Sequence, residues 1–155
     1  MRPTSATGTR GFTLVEILVV VAITGIVLAV AAVNLFPDER QASRRQSGQL
    51  ALAIERSRDA AWFGGLPTAV TFDDGLMHAW RLKGNEWQAD AEHDERLAGL
   101  RVTGVYVDGQ PLQPGSRLLF LPDGFGTPFR ISLEAQGIAW AIEGDAAGAV
   151  KLTEG

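Results

Sequence analysis

The stretch RGFTLVEILVVVAITGIVLAVAAVNLF, residues 10–36, decides how this chain is read. From Ile17 to Val33, 15 of 17 residues are apolar, and only Thr24 and Gly25 interrupt. As a helix, residues 12–36 would rise about 37 Å at 1.5 Å per residue, against about 30 Å of hydrocarbon in a bilayer. Glu16 is the misfit. An ionised carboxylate inside a membrane segment costs about 3 kcal/mol and calls for a cationic partner. No Lys, Arg or His lies between Gly11 and Phe36. The partner must therefore come from another chain, or from a new amino terminus created by cutting close by.

A secretory signal peptide accounts for part of the same pattern. Arg2 and Arg10 make a basic leader, Ile17–Leu28 an apolar stretch, and Ala29-Val30-Ala31 a small-residue cleavage site. On that reading a soluble periplasmic domain would start at Ala32. Glu16 argues against it, because a segment that is discarded has no use for a carboxylate that is costly to bury.

Gly11-Phe12-Thr13-Leu14-Val15-Glu16, after a short basic leader and before an apolar helix, resembles the processing site of type IV pilins and type II secretion pseudopilins. The resemblance implies that prepilin peptidase cuts between Gly11 and Phe12, and that Phe12 becomes the N-methylated mature terminus. It implies that Glu16 pairs with the terminal amine of a neighbouring subunit as the helices bundle. A carboxylate that is costly in the lone subunit would then be satisfied by the next one. Arg40, Arg44 and Arg45 follow the apolar run as closely as Arg2 and Arg10 precede it, so the positive-inside rule does not orient the segment. The resemblance does, placing the leader in the cytoplasm and everything after about Phe36 in the periplasm.

Beyond the run, Pro37 could kink one long helix or separate two. Helical signals resume through Gln41–Trp62, with Leu50, Ile54 and Ala61 on one face, and Gly64-Gly65 ends them. Short β-like runs follow, separated by turn signals such as Asp73-Asp74-Gly75 and Lys83-Gly84-Asn85. They are Thr68–Phe72, Leu76–Leu82, Glu86–Gln88, Leu100–Val107, Leu118–Leu121, Phe129–Leu133, Ile138–Ile142 and Ala149–Leu152. The fold class is α+β and pilin-like, a long N-terminal helix packed on a C-terminal antiparallel β-sheet or sandwich head. The expected division is a leader at 1–11, a transmembrane and polymerisation helix at 12–36, a periplasmic amphipathic helix at 37–64, and a periplasmic β-rich head at 65–155.

Leu118–Gly124, a strand running into Pro122-Asp123-Gly124 and then a second hairpin-like run, resembles an element of the H-class minor pseudopilins and their FimT-type pilus relatives. So does Leu50–Gly65, a Leu-Ala helix leading through glycines to a strand. The implied role is a minor pseudopilin near the tip of the type II secretion pseudopilus, which supports export of folded proteins across the outer membrane. Implied partners are the major G-class and minor I-, J- and K-class pseudopilins, prepilin peptidase, an inner-membrane assembly platform and secreted exoproteins. The chain would be single-pass in the bacterial inner membrane. Alternatives are a major or I-class pseudopilin, or a FimT-like pilin that takes up DNA.

Charge weighs against DNA. Residues 61–155 hold 7 basic and 13 acidic groups, a net of −6, which repels phosphate backbones. Cysteine is absent, which excludes disulfides, thiolate metal sites and cysteine nucleophiles. The run Asp90–Glu95 has carboxylates enough for calcium but lacks the glycine and spaced donors of a defined loop, so it reads as a solvated, mobile loop. Asp73-Asp74-Gly75 reads as a turn and His78 as a strand side chain. Two histidines without context do not make a catalytic constellation, so neither an enzyme nor a cofactor is expected. Of Trp62, Trp80, Trp87 and Trp140, most read as core or helix–sheet packing, with Trp87 a candidate partner contact.

Overall fold

The computed structural model describes residues 13–35, 39–124 and 126–155, with side chains described for all of these but 31–35. The expected leader, with Gly11, lies outside the described residues, as do Phe12 and Pro37. The chain divides into two compact units, 1–37 and 38–155.

The first unit is the helix α1, Leu14–Leu35, 22 residues long. Its start is set by Thr13. The Glu16 backbone N–H donates to the Thr13 carbonyl at 3.0 Å and to Thr13 Oγ1 at 3.3 Å. Thr13-Leu14-Val15-Glu16 thus has the spacing of a capping box. Leu14, Ile17, Leu18, Val21, Ile26 and Val27 are all exposed. A helix that is apolar all round has no polar face to give to water. Thr24 does not break this, since its hydroxyl donates to the Val20 carbonyl at 2.7 Å. Among the described residues no helix is long and apolar enough to cross a membrane. In α1 the described side chains end at Val30, and Leu14 to Val30 rises only about 25 Å. The helical backbone continues to Leu35, and its 22 residues rise about 33 Å.

The second unit opens with α2, Glu39–Gly64. Its buried positions, Ser43, Ser47, Leu50, Ala53, Ile54, Ser57 and Ala61, recur at intervals of three and four and so form one stripe. Leu50, Ile54 and Ala61 lie where the sequence places them, and three serines share the face. Two of these serines use polar atoms to lock the helix down. Ser43 Oγ donates to the Ala135 carbonyl at 3.0 Å and accepts from Trp140 Nε1. The Ser57 carbonyl accepts from Thr68 Oγ1 at 2.6 Å. Gly65, at φ +66°, ends the helix with its N–H on the Ala61 carbonyl.

Ten strands follow: β1 Thr68–Asp73, β2 Leu76–Lys83, β3 Glu86–Ala89, β4 Glu95–Arg96, β5 Leu100–Val107, β6 Gln110–Pro111, β7 Leu118–Phe120, β8 Phe129–Ala135, β9 Ile138–Gly144 and β10 Val150–Glu154. They form two antiparallel sheets. One runs β3-β2-β1-β7, with β4 also on β2, and the other runs β10-β9-β8-β5-β6. Asp74 and Gly75 both take positive φ, 46° and 74°, the two-residue turn that matches strand twist, so the acid pair is a hairpin turn as read. Pro122-Asp123-Gly124 is not. It carries the chain from β7 in one sheet to β8 in the other, so it joins layers rather than closing a hairpin.

A single core lies between these layers. Leu50 and Ile54 come from α2, Val70, Met77, Leu118 and Phe120 from the first sheet, and Phe129, Ile131, Leu133 and Ile142 from the second. Trp140 is buried in the same cluster at 5% exposure, held through its indole N–H by Ser43.

Candidate functional site

Glu16 is in the first turn of α1 and exposed. There the partial positive charge of the helix start favours a carboxylate. Among the described residues no cation pairs with it. The cap supplied by Thr13 was legible in the sequence as Thr-x-x-Glu and was missed beside the louder cleavage motif. It fixes where the helix begins, and so fixes which turn presents Glu16. The expected scissile pair, Gly11 and Phe12, lies outside the described residues.

The head's own acid cluster behaves otherwise. The Asp90–Glu95 run is not a loose loop. Asp90 meets Arg81 at 2.7 Å and His93 Nδ1 at 3.1 Å, and its backbone N–H donates to the Ala79 carbonyl. Asp94 accepts from the Ala79 N–H at 2.8 Å and lies 3.2 Å from His78 Nδ1. Glu95 meets Arg56 of α2 at 3.1 Å. Burial pushes the Asp90 carboxyl up, but hydrogen bonding and charge from His93 and Arg81 outweigh it and hold Asp90 below the usual carboxylate range. The run is a clasp fastening residues 90–95 to β2 and α2. Among the described residues no three His, Cys, Asp or Glu side chains are placed to hold a metal ion.

Two apolar features are exposed on the head. Trp62 and Phe63, at the end of α2, stack at 5.4 Å and are 58% and 81% exposed. Trp62 is therefore not a core residue. It lines a cavity of about 390 Å³ with Leu119, Phe120, Leu121 and Phe129, which opens beside the unpaired edge of β7. Trp80 and Trp87 are half-buried on the first sheet, with the Arg117 guanidinium 4.5 Å from one ring and 5.6 Å from the other. None of these surfaces brings together a nucleophile, a base and an orienting group.

Comparison with known families matches the chain twice. Residues 7–32 fit the prokaryotic N-terminal methylation motif, and residues 46–148 fit the type II transport protein GspH. Among solved structures, two of the minor pseudopilin EpsH from the type II secretion system of Vibrio cholerae are similar. One is 19% identical with a TM-score of 0.57, covering 76% of this chain and 98% of its own. The other is 18% identical with a TM-score of 0.58, covering 76% of this chain and 96% of its own. At that identity the likeness speaks for the fold. No curated protein matches the sequence.

Proposed function

The chain belongs to the type II transport protein GspH family, the H-class minor pseudopilins of type II secretion, and on that premise we propose how its residues serve there. Prepilin peptidase removes residues 1–11, and Phe12 is N-methylated. Residues 12–36 hold the subunit in the inner membrane and then in the filament, with the leader cytoplasmic and residues 37–155 periplasmic. The subunit assembles with other pseudopilins, the G class below and the I, J and K classes toward the tip, through the inner-membrane platform. The head contributes contacts and no chemistry, so the role is structural and not enzymatic.

The observation that carries this reading is the state of Glu16 in an otherwise apolar helix. Asp90 and Glu95 of the acid clasp meet arginines and Asp94 meets His78 within their own chain, and Glu16 has no such partner among the described residues. A filament neighbour supplies what the lone chain lacks: a charged terminal amine at Phe12. Co-expression with the other pseudopilins and the peptidase tests this. The wild-type chain should enter sheared filament fractions, and a Glu16→Gln chain, cleaved normally, should not.

A further inference from the structure

The head carries many acids, and its arginines are mostly spoken for. Arg40, Arg56, Arg58, Arg81, Arg101 and Arg130 each meet a carboxylate. Among the described residues Arg44, Arg45, Arg96 and Arg117 do not, and Arg45 bonds to Gln41 instead. Arg44 and Arg96 are exposed and hydrated, whereas Arg117 is half-buried and its Nε is buried without a hydrogen-bond partner. Water solvates the first two, but Arg117 has given up part of that solvation with no ion pair in return.

What holds it is aromatic. Its guanidinium rests against the faces of Trp80 and Trp87, and Trp80 is itself fixed by its indole N–H on Thr71 Oγ1 at 3.0 Å. Register explains the surroundings. Trp80 is opposite Ala69, and Ala69 is opposite Leu119 on its other side, so the three line up across one face of the first sheet. Leu119, two residues on from Arg117, is 51% exposed on that face. Trp and Arg together, with the Arg pre-positioned, are residue types enriched at interface centres.

We propose that Arg117, held between Trp80 and Trp87, is a socket for a carboxylate on a neighbouring pseudopilin head, with Leu119 covered by an apolar side chain beside that carboxylate. Charge complementarity at the contact selects the occupant: a stacked guanidinium without a carboxylate of its own attracts an acidic group locally, against the repulsion of a head of net −6. The partner's identity as a pseudopilin rests on the functional reading above.

The test is co-purification of detergent-solubilised full-length chain with the G-, I-, J- and K-class pseudopilins of the same host, over a salt series. Arg117→Glu should lower recovery of one partner by about ten-fold or more, and Arg117→Lys by less, because it keeps charge without the stack. Leu119→Asp, which alters an exposed side chain and leaves the core alone, should lower recovery of that same partner. It keeps the test informative if the Arg117→Glu head unfolds. Full recovery with either folded variant overturns the socket while leaving the pseudopilin reading intact. Failure of the wild-type chain to recover any pseudopilin overturns that reading, and this partner with it.

Discussion

The two helices of this chain, α1 of 22 residues and α2 of 26, solve opposite problems. α2 is polar on most of its surface and buries one stripe against two sheets of its own chain. Among the described residues, α1 exposes apolar side chains from Leu14 to Val30 and has a carboxylate without a partner. The contrast separates what a chain can satisfy alone from what it must seek outside. Burial at Ile54, a hydrogen-bonded Ser43 and the ion pairs of residues 90–95 complete the head. On the proposed function, α1 is completed by lipid, and then by other subunits.

If that division is right, the largest effect comes from the smallest change in α1. Glu16→Val should reduce incorporation into filaments by about ten-fold or more, since it removes a buried charge pair. The thermal midpoint of the head should not move. A shifted midpoint would break the comparison at its root.

Matched truncations sharpen it. Ile54→Ala, at a site with 0% exposure, should cost the head about 3 kcal/mol in denaturant unfolding. Ile23→Ala in α1 should change that same transition by less than about 0.5 kcal/mol. Gly144→Ala should follow at about 2 kcal/mol, because a Cβ there would sit 2.0 Å from a ring carbon of buried Phe129. That ring packs edge-on against Phe120 in the core.

The smallest effect is one of acidity. The Asp90 carboxyl is held below its ordinary value, so its contribution is full above the unfolded pKa of about 3.9 and is lost as pH falls through the folded value. Asp90→Asn should flatten the acid limb of the stability profile below about pH 4 and leave its shape above about pH 5 unchanged. An unchanged acid limb would mean that the clasp adds nothing to the fold.

Much of this was legible in the sequence because the signals were local. The apolar run, the stripe of Leu50, Ile54 and Ala61, and the Asp74-Gly75 turn each rest on a few neighbouring residues. The two-residue strands Glu95–Arg96 and Gln110–Pro111 were missed because they have no periodicity of their own and exist only through pairing with β2 and β5. The Asp90–Glu95 run read as a mobile loop because its cations, Arg56, His78 and Arg81, are brought to it by the fold. Pro122-Asp123-Gly124 read only as a turn between strands, because turn chemistry is the same whether the next strand joins the same sheet or the other. Ser43 was not singled out in the sequence, since nothing near it shows that Trp140 would need a partner.

The most direct measurement is the intact mass and amino-terminal sequence of the chain purified from membranes of a host with a prepilin peptidase. The expected product starts at Phe12 and carries one added methyl group, which leaves Glu16 in the mature chain with an amine for its neighbour to meet. A product starting at Ala32 would contradict this, since α1 and Glu16 would be largely discarded and the head released as a soluble periplasmic protein.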